Sequence, residues 1–402
     1  MGRLQTWGAA ARRSRLFQVG AAVVVLALLA GSIVLVTRSA GPPVAPPAPV
    51  ERAVALGDSV PYGHGLANPY LTPRIGLPPQ AVSQGPSTQA YPSVVAADFG
   101  LTMSVRSTNC HLTGDQLAIS GAVADGVDNT TRDGQCPTPP RQARNLSDEV
   151  AATDLVRHPA RLVLLQDGAD DIDFSACLEN QLARVLDVGI GLGHTCVANG
   201  SVTSTIAAQL VRVRVGLAQA IETVAPHTST VAVLDYYQPI PPPSQIAEGT
   251  ATSGLQTNLV CAGLKPNASS TYTAAQIVLD ALNRAVVGAV GDARAHHVKN
   301  VTLVDVAQAF DGHGICTADP WVFSGEPVPD STLAADAEHI LAAKACLDTD
   351  GLHGATACAA LSASAQAAER NLQDDVWRAA HPTAAGQRAL AAAVERQLND
   401  RL

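Results

Sequence analysis

The sequence predicts an α/β fold: a three-layer α/β/α sandwich around a parallel sheet, preceded by one transmembrane helix. Three observations predict it. Short apolar runs ending in turn residues alternate with longer segments of helical character. Strand then helix, repeated, calls for parallel strands with helices on both faces. Ahead of them, Leu16–Val36 is a run of 21 residues without a charge. The chain has 402 residues, 47% hydrophobic and 15% charged, which suits a globular protein rather than a disordered one. Its net charge of −9 argues against nucleic acid as a partner, since phosphates call for a basic face.

Taken in order, the first element is the apolar segment. At about 1.5 Å per residue it spans roughly the 30 Å hydrocarbon core. Arg3, Arg12, Arg13 and Arg15 precede it and only Arg38 follows closely. The positive-inside bias puts residues 1–15 in the cytoplasm, the helix at 16–37 and the remainder outside. The alternative is a cleaved signal peptide, whose apolar region is usually shorter, about 7–15 residues. Residues 38–52 hold GPPVAPPAPV, a semi-extended spacer in which Pro removes donors and fixes φ. One domain is expected over 53–402.

Within it, Ala53–Leu56 reads as a buried strand running into Gly57-Asp58-Ser59. A helix follows over Tyr91–Phe99, stopped by Gly100, then a strand over Met103–Ser107. Ser147 is positioned to cap a helix over Asp148–Val156. Strands are expected at Arg161–Leu165, Thr230–Leu234 and Val301–Val306, and helices at Ile206–Val224, Ala274–Ala295 and Thr383–Leu398. Binding sites in such sheets sit at the carboxyl ends of strands. Gly57-Asp58-Ser59, Asp167-Gly168 and Tyr236-Tyr237 all fall there. A hydroxyl nucleophile needs a tight turn that exposes it, a base within reach and donors for an oxyanion. Ser59 in its strand-end turn and His381, before Pro382 at the last helix, are the candidates for nucleophile and base.

Five blocks stand out in order. The first is VALGDSVPYG at Val54–Gly63, and the last is HPTAAG at His381–Gly386. Between them come AYP at Ala90–Pro92, NRAV at Asn283–Val286, and FDGHGIC at Phe310–Cys316 followed by DPW at Asp319–Trp321. In these blocks the chain resembles the secreted actinobacterial esterase and lipase branch of the SGNH, or GDSL, hydrolases. The resemblance covers residues 53 to about 395. The resemblance implies a serine hydrolase of carboxylic esters, acting on lipid esters or on acyl groups of envelope glycans. It works outside the membrane, as a monomer with no cofactor and no metal. A catalytically impaired binding protein and an acyltransferase are the alternatives on the same fold.

Carried over residue by residue, Ser59 is the nucleophile and His381 the base. The oxyanion donors are Ser59, Gly114 (alternatively Gly121) and Asp170. Two departures from the family pattern stand out. Asp170, in GADD at Gly168–Asp171, replaces an Asn whose amide would donate to the oxyanion. An ionised carboxylate there repels that charge; held protonated by burial and by Asp167 and Asp171, it could donate. The position three before His381 is Arg378 rather than Asp, so His381 is oriented either by Asp375 or by the Arg378 main-chain carbonyl. The acidic run Asp167, Asp170, Asp171, Asp173 lacks the spacing and Gly of a calcium loop, and His296-His297 reads as surface. Eight Cys without a CxxC pair favour disulfides over zinc. Short loops and the family resemblance favour neighbour pairing: Cys110–Cys136, Cys177–Cys196, Cys261–Cys316 and Cys346–Cys358. Gly189–Gly193 and Thr332–Ala368 read as insertions that cover the site.

Overall fold

The computed structural model describes residues 51–64, 66, 87–104, 146–174, 177, 195–247, 252–253, 256–257, 259–323, 328–329 and 381–402. The apolar segment at 16–37, the Pro-rich spacer, both insertions, the Met103–Ser107 strand beyond residue 104, and Gly114, Gly121, Asp375 and Arg378 lie outside them. So do Cys110, Cys136, Cys346 and Cys358.

Among the described residues the core is a four-stranded parallel sheet in the order β1 (Ala53–Gly57), β2 (Ala160–Gln166), β3 (Thr228–Leu234), β4 (Val301–Val304). Every residue of β1 is buried, and so are all but one of β2. Their unbroken apolar runs arise because strands covered on both faces have no solvent side to alternate with. The register sets Leu56 against Leu165 and Val231 against Val301. A single parallel bridge, Arg52 to Thr102, continues the sheet past β1, and Met103 and Ser104, where the sequence predicts a strand to start, lie outside any strand. The chain therefore leaves β1 toward one side at Thr102 and reaches its other side at β2. In open α/β sheets, the carboxyl end of a strand at such a reversal is where ligands bind.

Helices flank the sheet in two groups. α1 (Tyr91–Asp98) packs on α5 (Ala384–Leu398), and α2 (Leu146–Ala152) packs on α3 (Ser204–Val224), which packs in turn on α4 (Leu259–Ala295). In α3, Ile206, Leu210, Val213, Leu217, Ile221 and Val224 form the buried stripe, at helical spacing. The Thr203 hydroxyl caps its first turn and Pro226 follows its end. Thr383 caps α5 in the same way. Within α4, Leu264–Ala295 has the length and apolarity to cross a membrane, but half of an apolar 18-residue window in it is buried inside the folded unit.

Three expected boundaries are corrected. α2 covers Leu146–Ala152, so Ser147 lies within the helix rather than capping it. It stops early because the Thr153 hydroxyl turns back to the Val150 carbonyl and Asp154 takes φ 50°. α4 starts at Leu259, well before Ala274, because two helical pieces join across a kink at Asn267, just after Pro266. β4 ends at Val304, because the Val306 N–H is taken by the Asp235 carboxylate at 2.6 Å. Disulfides join Cys177 to Cys196 and Cys261 to Cys316.

Candidate active site

The end of β1 is shaped for close approach. Gly57 has φ 126°, and a Cβ there would overlap the Gln166 carbonyl on β2. The Asp58 N–H donates to that carbonyl at 3.0 Å. The Gly57 N–H donates to a buried carboxylate, Glu149 on α2, at 2.6 Å. Asp58 then caps the single helical turn Ser59–Tyr62: its Oδ1 accepts from the Val60 N–H at 3.0 Å. Ser59 therefore sits at the first position of a turn, 8% exposed, where amides have no carbonyl one turn back.

His381 reaches Ser59 from the far end of the chain. Its Nε2 lies 2.8 Å from Ser59 Oγ, across 322 residues of sequence. Backbone and side-chain contacts together fix its loop. The Phe323 N–H donates to the His381 carbonyl at 2.9 Å, and the Thr383 N–H donates to the Trp321 carbonyl at 2.8 Å. Gly386 leaves room for the Trp321 carbonyl and the Phe310 ring, which a Cβ would strike. Gln387 bonds both ways, accepting from the Tyr91 N–H at 2.8 Å and donating to the Val60 carbonyl at 3.0 Å. The Phe310–Trp321 run is thus the support of the His381 loop. Phe310 stacks on Tyr237 and meets Trp321 edge-on, and His313 stacks on Trp321 at 3.6 Å.

The loop after β2 is tied to the Ser59 turn through one tyrosine. Tyr236, at the end of β3, donates its hydroxyl proton to Asp58 Oδ2 and accepts from the Ala169 N–H at 3.2 Å. The Asn283 amide holds the Tyr236 backbone by two bonds of 2.8 Å. Asp170 follows Ala169, partly buried, its carbonyl accepting from the Asp173 N–H.

This end of the sheet gathers acid. Burial pushes the Asp58 carboxyl up to about 6, against bonds from Tyr236 and Val60 that favour its charged form. Asp167 is also raised, by burial first and then by the charges of Asp171, Asp58, Glu149 and Asp170. No group of three or more His, Cys, Asp or Glu among the described residues is placed to hold a metal ion.

The structure thus brings Ser59 and His381 together and places Asp170 on the turn linked to them through Tyr236. Several partners have no local signature in the sequence. Glu149, the Asp58–Tyr236 bond and His64 are tertiary contacts between distant positions. His64 is buried, its ring centroid 4.6 Å from that of His381. Gln387 did carry a signal: it is a polar residue on the stripe that holds Leu390, Ala391 and Val394.

No protein-family model and no curated protein sequence matches the chain. Among solved structures, an extracellular lipase from Streptomyces rimosus is similar, at 17% identity over 87% of this chain and 99% of that one, with a TM-score of 0.39.

Proposed function

We propose that the chain is a serine hydrolase of carboxylic esters, built as an SGNH-type three-layer sandwich and working outside the cytoplasmic membrane. The 2.8 Å approach of Ser59 Oγ to His381 Nε2 at the carboxyl end of β1 carries this reading. The two disulfides support an exported domain, because such bonds persist in oxidising compartments. The segment at 16–37 is its anchor in this reading.

In the reaction, neutral His381 accepts the Ser59 hydroxyl proton on Nε2 while Oγ attacks the ester carbonyl carbon. The carbonyl oxygen becomes an oxyanion, received by the Ser59 N–H, the Gly114 (or Gly121) N–H and the Asp170 side chain. The tetrahedral adduct collapses, the bond to the alcohol oxygen breaks, and the Nε2 proton goes to that oxygen. His381 then takes a proton from water as its oxygen adds to the acyl carbon; the bond from that carbon to Ser59 Oγ breaks, the acid leaves, and His381 returns the proton to Oγ. Asp375 or the Arg378 carbonyl orients His381. The substrates are small or lipid esters, or acyl groups on glycans.

Fluorophosphonate labelling and hydrolysis of p-nitrophenyl acetate test this reading. Ser59→Ala should abolish both, and His381→Ala should cut hydrolysis by at least about 10³-fold. Labelling that persists in Ser59→Ala removes Ser59 as nucleophile. Asp170 supports a second reading, a surface binding protein of reduced activity. A folded protein that neither labels nor hydrolyses would favour it.

A further inference from the structure

Beyond the Ser59–His381 pair, a cavity of about 380 Å³ opens at the carboxyl ends of β3 and β4, against α4. It lies within the roughly 300–1,000 Å³ of small-molecule pockets. Its floor is apolar and buried, formed by Phe310, Leu279 and Pro241. Its exposed rim carries the side-chain amides of Gln245, Gln276 and Gln308, with the carboxylates of Asp280 and Asp311. Gln238 joins them, its Oε1 held by the Ile240 N–H at 3.1 Å. None of the described residues lining the cavity is Lys, Arg or His.

The chemistry of this lining is selective. Two carboxylates with no lining cation disfavour a phosphate or carboxylate ligand. An acyl chain would strip water from the amides without replacing its hydrogen bonds. Amides donate and accept at once, and carboxylates accept from neighbouring hydroxyls. A ring with hydroxyls on its edge and C–H groups on its face satisfies both rim and floor. We propose that this cavity binds a neutral polyhydroxylated ligand, a sugar or short glycan.

Two lining residues also contact residues that hold the candidate active site. Tyr236 forms part of its wall and bonds Asp58, the neighbour of Ser59. Phe310 forms part of its floor and contacts Trp321, which holds the His381 loop. On the reading of Ser59 as nucleophile, the sugar is the alcohol portion of the ester. Its binding does not depend on that reading.

The test uses the full chain carrying Ser59→Ala, in a polyoxyethylene detergent that offers no competing sugar. Saturation-transfer NMR and calorimetry measure binding of cellobiose, maltose and, as a cationic probe, tetramethylammonium. Binding of at least one disaccharide is expected, weakened about tenfold by Gln276→Ala or by Gln308→Ala, a typical loss for one hydrogen bond. Both residues are exposed, so both variants should keep the parent melting temperature. No disaccharide binding to the folded protein overturns the proposal. So does binding undiminished in both variants, or a preference for tetramethylammonium. A chain that binds the disaccharide but fails to hydrolyse esters in its Ser59 form keeps this site and sinks the esterase.

Discussion

The carboxyl of Asp58 caps the turn that presents Ser59, and it does so while fully buried. Its pKa is raised from 3.8 to about 6, with burial as the leading cause. Below the lower value the group is protonated folded or unfolded and contributes no penalty. Between the two values the unfolded chain ionises while the folded state keeps its proton, so stability falls as pH rises, and it levels off above the higher value. The difference corresponds to about 3 kcal/mol, lost between roughly pH 4 and 6. Asp58→Asn does not titrate, so its stability relative to the parent should rise by about that amount from pH 4 to 7. Urea unfolding at the two pH values checks it, and a constant difference would mean that Asp58 keeps its ordinary pKa in the fold. Asp170 poses the other residue question. If its carboxylate sits where an oxyanion forms, Asp170→Asn should raise the neutral rate on an aryl ester by up to about 10²–10³-fold. A rate unchanged or lower would remove Asp170 from that position.

Among the elements, α5 does the most to hold the site together. Thr383 starts it, Gly386 lets it close on Trp321 and Phe310, and Gln387 ties it to both Tyr91 and Val60. His381 sits just ahead of this helix, so the base inherits its position from a rigid element. Gln387→Leu keeps the approximate size but strands a buried N–H and a buried carbonyl. Each orphaned group costs about 1–3 kcal/mol. The variant should unfold at lower urea by the sum of those costs. It should also lose kcat on aryl esters, because Val60 follows Ser59 directly. Full activity in a destabilised protein would show that the Ser59–His381 distance is set without Gln387.

At the scale of the whole molecule, the parts readable in the sequence are those with a local pattern. Parallel strands buried on both faces announce themselves as apolar runs, and Pro382 and Thr383 mark where α5 begins. Ser59 and His381 stand out because each adjoins such an element, and they lie within hydrogen-bond reach. The start of α4 was hidden, since Pro266 reads as a stop although two helical pieces join there. Glu149 beneath Gly57 and Tyr236 on Asp58 depend on how the crossovers return, and no spacing encodes that. The disulfides act at this same long range. Cys261–Cys316 closes 55 residues and Cys177–Cys196 closes 19. In the chain-entropy picture each restricts the unfolded ensemble and contributes about 2–4 kcal/mol, the longer loop about 1 kcal/mol more. The longer one also joins α4 to the loop that carries His313 and Trp321, the support of His381. Replacing Cys261 and Cys316 by Ser should therefore cost more stability than replacing Cys177 and Cys196. It should also reduce ester turnover at temperatures where the protein remains folded. Urea midpoints and turnover of both double variants measure this. The reverse order of stability would show that native contacts around Cys177, rather than chain entropy, decide what each bridge is worth.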